Sequence, residues 1–266
     1  GSGYRARARD ARRPSDHDLL TIMTQQLDQI AFSVVDVQRT ERWFRDAFGF
    51  IPAGGTRSFR GWGARHVQGL SGAASTCWWL VDRSEHFQIE LFQFEAPLAR
   101  LMPADFRPCD VGYSRVGFWV QDFDQTLERL AALGTPPLTA PVGKPGERRA
   151  CVRNPEGVFI EVMEDDPLRG RPRDARQNCR VAARSVTLSV PDLEKSKRFF
   201  MEALGIPEST AALRRPEHEA LWGLDGATTR SVVLDAGNVL VELVQYLDPV
   251  GKPWPEGHRI SDQGIL

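Results

Sequence analysis

The chain repeats itself. The stretch Gln29-Ile-Ala-Phe-Ser-Val-Val-Asp-Val-Gln-Arg-Thr-Glu-Arg-Trp-Phe-Arg-Asp-Ala-Phe-Gly49 recurs as Ser185-Val-Thr-Leu-Ser-Val-Pro-Asp-Leu-Glu-Lys-Ser-Lys-Arg-Phe-Phe-Met-Glu-Ala-Leu-Gly205, at a constant offset of 156 and without a gap. Ser33/Ser189, Val34/Val190, Asp36/Asp192, Arg42/Arg198, Phe44/Phe200, Ala47/Ala203 and Gly49/Gly205 are identical pairs. A looser copy runs from Arg115 to Gly134. Such a repeat restricts the architecture strongly, because each copy is one supersecondary unit whose apolar face must be buried against another.

Each copy has the same local grammar. Gln29, Ala31 and Ser33 alternate with Ile30, Phe32 and Val34, the period of a half-buried strand. Asp36 is a turn or cap residue. Trp43, Phe44, Ala47 and Phe48 form one helical stripe that packs on the apolar strand face, and Gly49 supplies a left-handed stop. Three further strands are predicted, near Arg65–Gly69, Ser75–Asp82 and Phe87–Phe94, so module one reads β-α-β-β-β. In its last strand Gln88, Glu90 and Phe92 share a face, with Ile89 and Leu91 toward the helix.

Pro97–Asp110 is a linker with three prolines. Module two follows with a strand at Arg115–Val120, a helix at Asp124–Leu133, the Asn154-Pro-Glu-Gly157 turn and a strand at Val158–Met163. In the third copy, Val241-Glu-Leu-Val-Gln-Tyr246 echoes Ile89-Glu-Leu-Phe-Gln-Phe94. The expected division is a basic tail at 1–22, a domain at 23–166 made of modules 23–96 and 111–166 paired with each other, a linker at 167–182, a third module at 183–250 and a connector at 251–266. Glu242…Asp262-Gln-Gly-Ile-Leu266 matches Glu90…Asp110-Val-Gly-Tyr-Ser-Arg115 at offset 152, so the connector is expected to lead toward a fourth module.

Composition narrows the function classes. A net charge of −1 offers no global field for nucleic acid. No apolar run approaches the roughly 18 residues of a membrane span, and no secretory pattern is present. Cys77, Cys109, Cys151 and Cys179 are too scattered for a metal-type pair, and the lack of an export signal favours reduced thiols and a cytoplasmic location. Arg5, Arg7, Arg9, Arg12 and Arg13 read as a solvated, disordered arm.

Repeated β-α-β-β-β modules with a Glu in the closing strand, together with Asn154-Pro-Glu-Gly-Val-Phe-Ile-Glu-Val162, resemble the vicinal-oxygen-chelate superfamily, which includes glyoxalase I, extradiol dioxygenases and the fosfomycin- and bleomycin-resistance proteins. The resemblance implies an α+β fold in which tandem modules pair into a curled mixed-sheet cup with helices outside. It implies a small oxygenated substrate, isomerase, lyase or ring-cleavage chemistry and a divalent metal (Zn, Ni, Mn or Fe). The matching metal positions are Gln29, Glu90, Glu161 and Glu242, with Glu90 and Glu161 as the proton-moving groups. Arg115 and Ser185 stand where this family shows ligands. A guanidinium has no lone pair to give.

Arg115 therefore leaves three readings. It replaces the metal and grips an anionic group of a substrate, it neutralises Glu90 and Glu161 in a cup with no activity, or it swings aside for a metal. Trp119, Phe92, Phe159 and Trp79 are the candidate aromatic walls. The alternatives to an enzyme are a metal-free binding module of the drug-sequestering type, or a silent domain that supports an active cup elsewhere. The third module, expected to be unpaired, would seek a second subunit. His66 and His218 recur near the second strand of modules one and three, as rim acid/base groups or as packing.

Overall fold

The computed structural model describes residues 26–54, 57–82, 87–170 and 180–266. The expected basic tail, Cys179 and most of the 167–182 linker lie outside the described residues.

Module one begins with β1 (Gln29–Val34) and α1 (Val37–Phe48). Asp36 starts the helix: its side chain accepts a hydrogen bond from the Arg39 N–H at 2.9 Å, filling one of the donors a helix N-terminus leaves open. Gly49 ends it at φ 80°, a conformation that favours glycine. Strands β2 (Ile51–Pro52) and β3 (Arg57–Arg60), helix α2 (Gly61–Gln68), β4 (Ala74–Val81) and β5 (Gln88–Ala96) complete the module. The strand expected at Arg65–Gly69 is thus helix α2. It starts and stops at glycines with positive φ, Gly61 and Gly69, and satisfies its own backbone while burying only Ala64.

Module two contains β6 (Gly112–Val120), α3 (Phe123–Ala132), β7 (Arg149–Arg153) and β8 (Phe159–Met163). Module three contains β9 (Val181–Ser189), α4 (Leu193–Arg198) continuing as a π-helical turn Phe199–Ala203, a 3₁₀ helix Pro216–Trp222, β10 (Thr228–Ala236) and β11 (Val239–Asp248). A last short strand, β12, is Gly264–Ile265.

The strands form two sheets. Sheet one runs β12-β1-β5-β4-β2, with β3 also on β4. Sheet two runs β10-β11-β9-β6-β8-β7. The hydrogen-bonded partner of module two is therefore module three, through the antiparallel pair β6–β9, and not module one as expected from chain order. Modules one and two instead meet through their helix sides. Phe44, Phe48 and Phe50 pack on Phe118 with centroids 5.3–6.1 Å apart. Trp43 Nε1 donates to Thr135 Oγ1 at 2.9 Å and Arg129 Nε donates to the Ala47 carbonyl at 2.9 Å.

The Asn154–Gly157 turn adds a clamp. Asn154 Oδ1 accepts from the Glu156 and Val158 N–H groups. Glu156, 2% exposed, then accepts from Val35 N–H, Thr40 Oγ1, Arg39 Nη2 and Gln263 Nε2. Burying the large α1 and β6 aromatics needs a second apolar layer, and each module finds it in the helix side of the other.

Because β9 is bonded along β6, module three is not unpaired. The expectation of a homodimer through a free third module loses its basis. Among the described residues no helix is long and apolar enough to cross a membrane.

Candidate functional site

The helix-opposed faces of the two sheets carry the residues in question, and they differ. On sheet two, β6 supplies Arg115, β8 Glu161, β9 Thr187 and β11 Glu242. Their alternation sends Val116, Phe118, Ile160, Val186, Val241 and Leu243 to the main apolar core and the polar residues to the cup face. The 3₁₀ helix lies over this face and buries His218, Glu219, Leu221 and Trp222.

The result is a closed network. Arg115, 1% exposed, donates through Nη2 to Glu242 Oε2 at 3.0 Å, and its Nε stands 3.9 Å from Glu161 Oε2. Its guanidinium carbon lies 3.9 Å from the centroid of the Trp222 ring. Arg149 Nη1 donates to Glu161 Oε1 at 2.8 Å and to the Leu213 carbonyl at 2.7 Å. Arg214 Nε donates to Glu242 Oε1 at 2.8 Å, and its Nη1 bonds Glu219. Thr187 Oγ1 donates to Glu242 Oε2 at 2.9 Å. Tyr246 and Trp222 donate to Glu219 Oε2 at 3.1 and 2.9 Å. Three guanidinium groups thus face three carboxylates.

Burial alone would raise the Glu242 carboxyl, but Arg214, Arg115 and the hydrogen bonds from Arg214 and Thr187 hold it at about 2. Arg214 is pushed above its ordinary value, since Glu242, Tyr246 and Glu219 outweigh the opposing effect of burial. Burial keeps His218 below its usual value, and its Nδ1 accepts from the Arg215 N–H at 3.3 Å. His66, by contrast, is exposed and stacked on Trp62. The two recurrent histidines therefore share a repeat position and no common environment.

Sheet one places Gln29 and Glu90 side by side on its helix-opposed face. Gln29 Nε2 bonds Glu90 Oε2, Gln88 Nε2 donates to Gln29 Oε1 at 2.6 Å, and Cys77 Sγ donates to Glu90 Oε1 at 2.8 Å. Burial first, and then Glu90, push the Cys77 thiol far above its ordinary value. Trp79 is the register partner of Glu90, Phe92 follows one strand period later, and Phe59 packs on Phe92 at 6.4 Å. Gln29, Trp79, Phe92 and Phe59 are only partly buried, and among the described residues no helix seals this face as the 3₁₀ helix seals the other.

The predicted residues thus fall into two groups. Gln29, Glu90, Trp79 and Phe92 share sheet one, and Glu161, Glu242, Arg115, Phe159 and Trp119 share sheet two. The expectation that Arg115 neutralises Glu90 together with Glu161 is corrected: the charges it meets are Glu161 and Glu242. Phe159 is buried beside Trp222 with Arg153 stacked at 4.2 Å, and Trp119 sits at the rim, donating to the Glu164 carbonyl at 3.2 Å. Sequence reasoning misses Arg149, Arg214, Glu219 and Trp222. Arg149 opens β7, and the other three come from a segment with no strand or helix period.

Sheet two does not suit a divalent cation. A buried guanidinium occupies its centre, and both Glu161 and Glu242 are already committed to arginines. Sheet one offers two oxygen donors, Gln29 and Glu90, which suit a hard or borderline ion but make half of a usual set. Among the described residues no group of three or more His, Cys, Asp or Glu side chains is placed to hold a metal.

Comparison with known proteins agrees with this architecture. Residues 28–152 match the family model of the Glyoxalase/Bleomycin resistance protein/Dioxygenase superfamily. No curated protein sequence matches significantly. A glutamate-to-glutamine variant of glyoxalase I from Zea mays aligns at TM-score 0.54 and 16% identity, covering 84% of this chain and 69% of its own. Zea mays glyoxalase I without that substitution aligns at 0.52 and 18%, covering 84% and 68%. A protein of Bacillus subtilis subsp. subtilis str. 168, provisionally described as a dioxygenase, aligns at 0.54 and 12%, covering 86% and 65%. At such identities the likeness concerns the fold. By sequence the region 28–152 belongs to the glyoxalase/bleomycin-resistance/dioxygenase group, and the described chain as a whole carries the fold of that vicinal-oxygen-chelate superfamily.

Proposed function

We propose that the small-molecule site lies on the helix-opposed face of sheet one, and that sheet two is its silent twin. In this reading the protein is an enzyme of the isomerase, lyase or ring-cleavage type acting on a small oxygenated compound. Gln29 and Glu90 supply oxygen donors to a divalent ion, Glu90 is the proton-moving group, and Trp79 and Phe92 wall the substrate. An ion held there would polarise neighbouring substrate oxygens. The single observation that carries the reading is the contrast between matching positions: Glu242 is locked by two arginines, while Glu90 has only neutral partners beside a half-exposed aromatic wall.

The register of β12 supports a further part of the reading. Gly264 and Ile265 pair with Ser33 and Phe32. Gly112 and Tyr113 pair with Ser189 and Leu188. Since 33 and 189, and 32 and 188, are repeat equivalents at offset 156, β12 lies on β1 as β6 lies on β9. In this reading any further donors to the ion reach Gln29 and Glu90 from across this edge of β1.

Calorimetric titration of the protein with Zn(II) and Ni(II) tests the assignment. One ion per chain is expected, lost in Glu90→Ala and retained in Glu161→Gln. Undiminished binding in Glu90→Ala overturns it. A second reading, a metal-free binder, rests on the existing Gln29–Glu90–Cys77 bonds, which satisfy that floor without an ion. It predicts no metal uptake, with saturable binding of benzoate that Trp79→Ala abolishes.

A further inference from the structure

The two linkers of the molecule hold each other by one set of contacts made twice. The Arg100 N–H donates to Asp262 Oδ1 at 3.1 Å, and 152 residues on the Lys252 N–H donates to Asp110 Oδ1 at 2.8 Å. The Gln263 N–H donates to the Arg100 carbonyl, and the Val111 N–H to the Lys252 carbonyl. Each Asp also accepts from the N–H three residues before it, Arg259 and Arg107. Asp110 and Asp262 are both buried. The clasp is therefore fixed by main-chain bonds to carboxylates, which are stronger than neutral ones.

Between the clasped linkers lies a cavity of about 220 Å³. Its lining includes the repeat-equivalent positions Met102/Trp254, Phe106/His258 and Tyr113/Ile265. In these three pairs the two residues differ, while Pro103/Pro255 and Asp110/Asp262 are identical, so a symmetric frame encloses a partly unsymmetric hole. Met102, Phe106 and Trp254 form its apolar part, and Trp254 carries the His258 ring at 3.9 Å. The charged lining residues Arg100, Asp105, Asp110, Lys252 and Asp262 are engaged with one another, which leaves two polar side chains of the lining without a hydrogen bond. Tyr113 lines the cavity and its hydroxyl has no hydrogen-bond partner among the described residues. His258 Nδ1 is 3.8 Å from Asp262, too far for a hydrogen bond. Burial holds the Tyr113 hydroxyl above its usual value and the His258 ring below, so both are neutral near pH 7.

We propose that this cavity binds a small planar aromatic molecule bearing one hydroxyl, of the size and chemistry of a substituted phenol. The flat apolar body fits between Met102, Phe106 and Trp254, and the hydroxyl answers Tyr113 or His258. A neutral ligand suits the site, because Arg100 and Lys252 are already engaged by Asp262 and Asp105. The cavity shares no lining residue with the Gln29, Trp79, Glu90 and Phe92 face of sheet one. It also touches β12, so its ligand braces the strand that covers β1.

Calorimetric titration of the whole protein with 4-methylphenol tests this. Saturable binding of one molecule per chain is expected, with a dissociation constant below about 1 mM for a ligand of this size. Tyr113→Phe should weaken it about fivefold, the effect of one neutral hydrogen bond. Met102→Trp, which fills the cavity, should abolish it. If Met102→Trp fails to fold, Tyr113→Phe and Phe106→Ala still decide, since each alters the lining without adding volume. Non-saturable binding, or binding unchanged in these variants, overturns the proposal. So does binding lost in Glu90→Gln and kept in Tyr113→Phe, which places the phenol on sheet one.

Discussion

Arg115 lies on the indole of Trp222 while its Nη2 holds Glu242 at 3.0 Å. One side chain therefore closes the apolar and the ionic halves of the sheet-two face together. Its Nε and Nη1 have no hydrogen-bond partner, so attraction to Glu161 and contact with the ring compensate part of what burial removes.

Removing that cation should be costly. Arg115→Ala leaves Glu242 with Arg214 alone, opens a void beside Trp222, and should destabilise the fold by about 3–5 kcal/mol. Urea unfolding at pH 7 measures it. The deficit should shrink toward pH 4, because Glu242 without Arg115 takes up a proton more readily and loses its uncompensated charge. A deficit independent of pH would show that the loss is one of packing.

The same carboxylate sets an acid limit. Glu242 is held at about 2 in the fold, below the ordinary 4.5. A depressed folded value means that its stabilisation is fully present above about 4.5 and disappears as pH falls through 2. The contribution is about 3 kcal/mol. Wild type should therefore lose more urea stability between pH 5 and pH 2.5 than Glu242→Gln does. Equal slopes would remove Glu242 from the account.

Gly117 shows how tightly β6 and β9 approach. A Cβ there would fall 2.2 Å from Ser185 Oγ and 2.4 Å from Met163 Cε. Gly117→Ala should cost about 1–3 kcal/mol by overpacking. Ser185→Ala removes the nearer atom, so the double variant should recover part of the loss. A double-mutant cycle with no coupling would contradict the contact.

The linker clasp predicts a pair of matched effects. Asp262→Ala strips acceptors from Arg100 and Arg259 N–H groups, and Asp110→Ala does so for Lys252 and Arg107. Each should cost about 2–4 kcal/mol. Hydrogen exchange should separate them. Leu266, whose N–H bonds the Ala31 carbonyl, should lose protection in Asp262→Ala far more than in Asp110→Ala.

Much of this architecture is written locally. The offset between Gln29–Gly49 and Ser185–Gly205 announces the repeat, Asp36 and Gly49 mark the ends of α1, and period-two alternation assigns Gln29, Glu90, Arg115 and Glu161 to the face away from the helices. These are short-range properties, since a strand's alternation and a helix's caps depend on neighbours a few residues away. Helix α2 escapes such reading because Arg65–Gly69 is too short and too polar for either period to decide.

Which module faces which is not written there. Chain order suggests that modules one and two share a sheet, and it also suggests that Glu90 meets Arg115. The structure joins β6 to β9 and sets Phe44 and Phe48 of module one against Phe118 of module two. Each module carries two sticky surfaces, a strand edge and an apolar helix side, and the local sequence of one module cannot say which neighbour takes which. That choice depends on long-range burial. Through it, tertiary structure decides that Arg115 locks Glu242 and Glu161, and that Gln29 and Glu90 stand apart from it on another sheet.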